Sequence, residues 1–364
     1  MRVKGTFVIL TPGFAASEED STCLPMQQTF VRMLHDLYPQ IKIVILTFQY
    51  PYHQKQYPWF NAMVYSFNGR NRGGIARLLL REKVYARLKE IHRSEKIIGL
   101  LSCWYGECAY VGKKFGDKHH IKHHCWLLGQ DARSMNKYPK RIPLQGHELI
   151  AVSDFIQSEF ERNHGRKPAV VIPPIVNLKN MVSPVAERDI DLLATGSLIP
   201  LKQFAFLAEI VVAIKNHIPT VTAQLIGEGP EKEKLRHLIQ QYSLEENLQL
   251  IGELPHDKVL QTMQRTKVFL HPSSYEGFSV ACLEALSSGA HVVSFVQPMN
   301  SGIKNWHVVK TNEEMVQRAI DILKDSDTHY EKTMVFTPED IVQRMMRLFI
   351  SEEILLQIIA DGWL

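Results

Sequence analysis

The sequence predicts an α/β protein built as two doubly wound parallel-sheet domains that face each other across a cleft. Three observations carry that expectation. The chain has 364 residues, and a domain holds roughly 100–200, so two domains are the natural division. In both halves, short apolar runs of strand type alternate with longer segments of helical period, the pattern of parallel sheets covered on both faces. The charge also changes sign along the chain: residues 1–178 hold 25 Lys and Arg against 14 Asp and Glu, and the remainder 17 against 24. A basic half joined to an acidic half implies two units with different partners. The boundary falls at 178/179, within the Pro-broken stretch between Pro173 and Pro184.

The first half opens with an apolar strand at 6–10 and the loop "TPGFAASEEDS", followed by a helix over 25–37 and the strand "IKIVILTF" at 41–48. Residues 60–72, with Gly69 and the following Gly73 and Gly74, read as loop or edge strand. A basic amphipathic helix is expected over 75–93, its apolar positions being Ile75, Leu78, Leu79, Val84, Leu88 and Ile91. Strands follow at 97–102, 124–128 and 148–152. "SDFIQSEFERNHG" reads as a helix capped by Ser153 or Asp154 and stopped at Gly165, and "AVVIPPIVN" as a strand entering the linker. The second half repeats the alternation. The strand "IDLLATGS" ends at Gly196 and precedes a helix over 204–216. "TAQLIG" leads into a helix with Pro230 at its start. "LQLIG", a helix over 258–265, "KVFLHP", a helix over 279–288 and "HVVSF" complete it. A last helical pattern begins at Thr337 and Pro338, and the apolar tail "SEEILLQIIADGWL" is expected to pack on the first domain.

Several classes are excluded. No run approaches the roughly 20 apolar residues of a membrane span. The opening "MRVKGTFVILTPGFAAS" has too short an apolar core, cut by Pro12-Gly13, for a signal peptide. Five cysteines without paired spacing argue against disulfides or a zinc site and point to a reducing cytoplasm. The run "HHIKHHC" at 119–125 lacks converging geometry, so no metal is expected. Neither GxGxxG nor GxxxxGK[ST] occurs, and "GEGPEKEK" offers only a weak GxG. No nucleic acid is expected as a partner.

The chemistry concentrates in "EGFSVACLE", where Glu276 and Glu284 stand eight positions apart. Glu276 and Gly277 lie in the loop after a strand. A helix begins near Ser279 and ends at Gly289, a suitable C-terminal stop. Its first N–H groups and its dipole favour an anion such as a phosphate. Glu284 lies more than a turn further along, within reach of the hydroxyls of an attached ribose. One phosphate flanked by two carboxylates that accept sugar hydroxyls describes a sugar nucleotide. Lys202, in the loop after the strand that closes at Gly196, can neutralise a diphosphate at the same sheet edge.

Together, "TGSLIPLK", "LIGEGPEKEKL", "LIGELPHDKV" and "HPSSYEGFSVACLEALSSG" resemble the family 4 (group 1) retaining glycosyltransferases of two-Rossmann, type-B architecture. The similarity covers 190–295 closely, extends back to about 151, and is weak in the first half. It implies that residues 1–178 are the acceptor-side domain, with the helix of about 338–364 packing back on it, and that 179–337 bind the donor. It implies that Glu276 contacts the transferred sugar, that the backbone of Gly277, Phe278 and Ser279 holds sugar and diphosphate, and that Glu284 takes the ribose. Lys202 would pair with the departing diphosphate, Leu254 would lie in the base-binding segment, and Gly13 would approach the diphosphate from the first domain. The implied reaction is retaining, metal-independent transfer of a hexose-type sugar from a UDP- or GDP-sugar to a polysaccharide or lipid-linked acceptor, with no cofactor. The implied location is cytoplasmic, with peripheral contact to the inner face of an anionic membrane favoured by the basic half.

Two departures from the family pattern stand out. Ser197 occupies the position where the family has an arginine, so the diphosphate loses a cation. Leu128 stands where the family often has a histidine, leaving Gln130 or Asp131 to contact the sugar, or Asp131 to cap a turn. A sugar-nucleotide-binding protein without transfer activity and a type-B epimerase are the alternatives.

Overall fold

The computed structural model describes residues 5–176 and 187–350. The chain divides into two compact units, residues 1–175 with 336–364, and residues 176–335. The expected packing of 351–364, the first residues of the chain and most of the linker lie outside the described residues.

In the first unit the elements run β1 (Gly5–Gly13), α1 (Pro25–Leu37), β2 (Ile41–Tyr50), β3 (Gln54–Trp59), β4 (Ala62–Phe67), α2 (Gly74–Ser94), β5 (Ile97–Cys103), α3 (Glu107–His119), β6 (His123–Leu127), α4 (Tyr138–Arg141), β7 (Leu149–Ala151), α5 (Asp154–His164) and β8 (Val170–Val171). The sheet order is β3-β4-β2-β1-β5-β6-β7-β8, parallel except for the β3–β4 pair. Phe7 to Leu10 and Ile43 to Leu46 are buried on both faces of the sheet, which is why these strands read as unbroken apolar runs. The segment 60–72 resolves into the second strand of an edge hairpin and the loop that follows it. α5 starts as its sequence signals: Ser153 Oγ accepts from Ile156 N at 3.1 Å, and Gly165 closes it in the left-handed region.

Two features depart from the sequence expectation. The helix α3 has no clear signal in the sequence, because Gly112 and Gly116 depress its propensity. Gly112 is there for packing: a Cβ would stand 2.5 Å from His123 Nε2 and 2.6 Å from Ser102 Oγ. The apolar positions of α2 also do not form one stripe. Leu80, Val84, Leu88 and Ile91 are buried, whereas Ile75, Leu78 and Leu79 are exposed. At about 100° per residue, these three point away from the buried face.

The second unit contains β9 (Ile190–Thr195), α6 (Phe204–Lys215), β10 (Ala223–Ile226), α7 (Lys232–Gln241), β11 (Leu248–Gly252), α8 (His256–Gln264), β12 (Thr266–His271), α9 (Val280–Ser287), β13 (His291–Ser294), β14 (Trp306–Val308) and α10 (Asn312–Lys324). Its sheet is parallel throughout, in the order β11-β10-β9-β12-β13-β14. Numbered within the unit this is 3-2-1-4-5-6, the Rossmann order, which reverses direction between β9 and β12. Leu192, Ala194, Val268 and Leu270 form its core with Phe204, Leu207 and Val211 of α6. The weak GxG motif has a packing role: a Cβ on Gly227 would stand 1.9 Å from Gly196 O, at φ +148°. The chain then returns to the first unit as α11 (Pro338–Arg347), which packs on α1. Arg344 Nη2 donates to Val171 O at 2.8 Å, and Phe349 meets Phe7 edge-on at 4.8 Å.

Candidate active site

The loops after β9 and β12 leave the sheet at its reversal point, where open α/β sheets bind ligands. Leu198 N donates to Glu228 O at 2.9 Å, which anchors the β9 loop to the loop after β10. A 3-10 turn over Pro200–Lys202 then directs Lys202 inward before Gln203 opens α6. Ser274 N donates to Leu201 O at 3.3 Å, drawing the β12 loop against the β9 loop. The result is an ion pair between Lys202 Nζ and Glu276 Oε2, with both side chains largely shielded from solvent.

A third group joins them. His271, the last residue of β12, is buried, and its Nε2 lies 3.5 Å from the same Glu276 oxygen, too far for a good hydrogen bond. Burial opposes ionisation of Glu276, but His271 and the Lys202 charge outweigh it and hold the carboxyl at about 2. Burial dominates at His271 and depresses its protonation. The site therefore presents a carboxylate and an ammonium beside a neutral imidazole.

Immediately after Glu276, Gly277, Phe278 and Ser279 are buried, and the Phe278 ring packs against Trp306 at 5.8 Å. Ser279 is the N-cap of α9, its Oγ accepting from Cys282 N at 3.3 Å. That bond occupies one of the first-turn amides expected to be open for an anion. Val280 and Ala281 precede Cys282 and are half-exposed, so the start of the helix is not sealed in apolar packing.

Glu284 lies on the buried part of α9 and meets His256, the first residue of α8, with Glu284 Oε1 2.7 Å from His256 Nε2. The bond to Glu284 raises the His256 pKa and burial opposes it only in part. Leu254, half-buried, stands two residues before His256, so the "GELPH" turn and Glu284 lie in one neighbourhood. Ser197 is exposed on the β9 loop.

The geometry thus brings Lys202 together with Glu276, and Glu284 with the Leu254 segment. Sequence reasoning misses His271 and His256. Their signals are present in "FLHPSS" and "ELPHDK", where a histidine closes a strand and another opens a helix.

Gly13, Gln130 and Asp131 lie in the first unit. Gly13 ends β1. A Cβ there would meet Cys23 Sγ and Tyr50 Cβ at 3.6 Å each, ordinary contacts, so packing within its unit does not require glycine. Gln130 is exposed. Asp131 is buried, and its carboxylate accepts from Tyr105 N at 3.0 Å, Gly129 N at 2.8 Å and Leu128 N at 3.2 Å. Of the two roles left open for it, the turn-holding one accounts for these bonds. Burial raises its pKa, and the backbone donors offset only part of that rise. In the histidine-rich run, His123 Nε2 pairs with Ser102 Oγ at 2.8 Å and His124 packs edge-on to Phe349 at 5.0 Å. Among the described residues no group of three or more His, Cys, Asp or Glu gathers to hold a metal ion.

Residues 179–334 match the model of the family described as glycosyl transferases group 1. The C-terminal unit is a group 1 glycosyl transferase domain. The chain is 25% identical over 147 residues to the UDP-N-acetylglucosamine–peptide N-acetylglucosaminyltransferase GtfA subunit of Streptococcus pneumoniae, covering 40% of this chain and 29% of that one. It is 31% identical over 93 residues to the phosphatidylinositol N-acetylglucosaminyltransferase gpi3 subunit of Schizosaccharomyces pombe, covering 26% and 20%. The matched stretch spans less than a third of the length of the GtfA subunits. Among solved structures, Anabaena HepE in complex with UDP and glucose superposes with a TM-score of 0.64 at 16% identity, over 98% of this chain and 99% of that one. The fold of the chain is therefore the two-Rossmann, type-B one.

Proposed function

We propose that this chain is a retaining, metal-independent hexosyltransferase that uses a UDP-sugar. The observation that carries the proposal is the Lys202–Glu276 pair at the sheet reversal point, directly before the start of α9 and with buried Glu284 further along that helix. In this reading the bond from the anomeric carbon to the diphosphate oxygen breaks. The acceptor oxygen bonds to the same face of the sugar, and its proton passes to the departing phosphate. Negative charge grows on the diphosphate, and Lys202 and the positive end of α9 offset it without reorganising. Glu276 accepts hydroxyls of the transferred sugar. Glu284, held in place by His256, accepts those of the ribose. The names of the relatives, which specify UDP-N-acetylglucosamine or an N-acetylglucosaminyl group, favour UDP over GDP and make N-acetylhexosamine the first sugar to try. The acceptor is a polysaccharide or a lipid-linked intermediate, reached from the cytoplasm at the inner face of a membrane.

A thermal-shift series with UDP-, GDP- and ADP-sugars tests the donor, since stabilisation grows with ligand concentration relative to Kd. The UDP-sugars should stand out, and Glu284→Ala should abolish the shift more fully than Glu276→Ala. Equal losses in the two variants would remove the assigned roles. Ser197, which supplies no cation, favours a second reading: a protein that binds a sugar nucleotide without transferring it. Single-turnover reactions with labelled donor separate the two, because binding without transfer or slow donor hydrolysis belongs only to the second.

A further inference from the structure

The loop after β1 is tied to β3 and to the turn that follows it, so that both are fixed before any ligand arrives. Tyr57 Oη donates to Ala15 O at 2.6 Å, Trp59 Nε1 to Ser17 O at 3.1 Å, and Phe60 N to Glu18 Oε1 at 2.8 Å. The loop is also closed on itself. The Asp20 carboxylate accepts from Ala16 N at 2.9 Å, Cys23 N at 3.1 Å and the Tyr50 hydroxyl at 3.1 Å. Loop and strand together line a cavity of about 440 Å³ that opens to solvent, within the roughly 300–1,000 Å³ of small-molecule sites. The cavity belongs wholly to the first unit. β3 stands three strands from β1 in the sheet order, about 14 Å at the spacing of paired strands. The β3 wall is therefore remote from that sheet's own reversal point between β1 and β5.

The lining selects among ligands by charge. His53, Lys55 and Tyr57 line the cavity at alternate positions, joined by Pro58, and Glu18 and Glu19 line it from the loop. The Ser66 hydroxyl donates to His53 O at 2.8 Å, which leaves its oxygen to accept from His53 Nδ1 at 3.2 Å and leaves Nε2 as an acceptor. Among the described residues, neither that nitrogen nor the Lys55 ammonium has a partner. Glu18 keeps one carboxylate oxygen beyond the one that Phe60 N takes. Two carboxylates repel a phosphate or other anion, the ammonium repels a cation, and polar walls give little to an apolar ligand. A neutral polyol suits every group. Each of its hydroxyls can donate to a carboxylate or to His53 Nε2 while accepting from Lys55. The Tyr57 ring and Pro58 supply apolar area for the C–H face of a pyranose.

We infer that this cavity is a saccharide subsite, holding one neutral pyranose unit of a glycan apart from the donor site of the second unit. The inference rests on the proposed function only in making that glycan the acceptor. An acceptor with a sugar seated here is an oligosaccharide, and not a bare lipid or a polypeptide.

Saturation-transfer NMR on the full chain tests the subsite without requiring glycosyl transfer. The probes are the methyl α- and β-glycosides of glucose, galactose, mannose and N-acetylglucosamine. At least one is expected to take up saturation. Lys55→Met should weaken its Kd about tenfold through loss of a charge-assisted bond. Glu18→Gln, which keeps an oxygen for Phe60 N, should weaken it about as much. Lys202→Met and Glu276→Gln, in the other unit, should leave it unchanged. Urea unfolding and the UDP thermal shift of the Lys55 and Glu18 variants should match the parent, which separates a lost contact from a lost fold. Uptake by none of the probes would overturn the subsite. So would binding that survives both cavity variants, binding lost in Glu276→Gln, or displacement of the glycoside by inorganic phosphate. Uptake that depends on Lys55 in a chain without a UDP shift would sink the transferase proposal and leave the subsite standing. A UDP shift without uptake would do the opposite.

Discussion

Replacing Glu276 with Gln should make the protein bind UDP more tightly while transferring sugar more slowly. Before donor arrives, Lys202 is paired with Glu276, and the carboxyl, held at about 2, is ionised at any physiological pH. A diphosphate that takes Lys202 must compete with that carboxylate. The two side chains are 21% and 24% exposed, so the pair lies between exposed pairs worth about 0.2–1 kcal/mol and buried ones whose breakage costs about 3–5 kcal/mol. A competition term of about 1–2 kcal/mol follows, equivalent to about 5–30-fold in Kd. Isothermal titration with UDP reads it directly. Glu276→Gln should tighten binding by that factor, and Lys202→Met should weaken it by at least about tenfold through loss of a charge-assisted contact. Single turnover with UDP-sugar should slow in both. If Glu276→Gln weakens UDP binding, the carboxylate does not compete with the diphosphate for Lys202 and the reasoning fails; if Lys202→Met leaves binding unchanged, Lys202 is not the diphosphate's cation. The same pair affects acid stability. The folded pKa of Glu276 is depressed below its ordinary 4.5, so its stabilisation is present above that value and disappears as pH falls towards about 2.

Three further outcomes follow from the geometry. Because its bond to Glu284 raises the His256 pKa above 6.5, the pair's stabilisation is complete below 6.5 and is lost as pH rises through the folded value. Stability from urea unfolding should fall across that window in the parent and stay flat in His256→Gln; parallel slopes would mean that the pair contributes nothing. Asp131→Ala strands three backbone donors and should cost about 3 kcal/mol in urea unfolding, with the UDP thermal shift retained. A cost under about 1 kcal/mol would mean that the carboxylate does not hold the turn. Gly227→Ala, with its Cβ driven to 1.9 Å from Gly196 O, should cost about 3 kcal/mol or more. Gly73→Ala, whose Cβ meets nothing within 4 Å, should stay within about 0.5 kcal/mol, and similar losses at both positions would contradict the packing role.

The parts of this molecule that are legible in its sequence are those where one local cause decides the outcome. Strands such as Ile41–Tyr50 are buried on both faces and consist largely of continuous Val, Ile and Leu. α5 has both its cap and its stop in the sequence. The pairing of Lys202 with Glu276 follows from their places in two loops that leave neighbouring strands, β9 and β12. The failures have a shared cause, since each depends on a distant neighbour. α3 is glycine-containing because His123 and Ser102 crowd it. Ile75, Leu78 and Leu79 pass for core residues because a helical period does not tell an inner face from an outer one. His271 and His256 gain meaning only from carboxylates placed beside them by other loops. Asp131 is ambiguous for the same reason, as its three donors come from two different loops.

Six parallel strands of the first unit, β4-β2-β1-β5-β6-β7, follow the same order as the whole sheet of the second, with the antiparallel β3 and the short β8 added at the edges, yet their loops differ in charge. In the second unit, the loops after its first and fourth strands carry Lys202 and Glu276, and the helix that follows begins half-open with Glu284 within it. In the first unit, Phe14-Ala15 and Trp104-Tyr105-Gly106 directly follow β1 and β5, and the β1 loop goes on to carry acids, Glu18, Glu19 and Asp20, with no cation. There the acid of the neighbouring loop, Asp131, is consumed by backbone amides. Under the proposed function, the groups for a charged diphosphate sit in the acidic unit, where carboxylates would accept sugar hydroxyls and one lysine would meet the phosphate. The basic unit keeps its cations on the outside of α2 and the 133–141 segment, among aliphatic side chains.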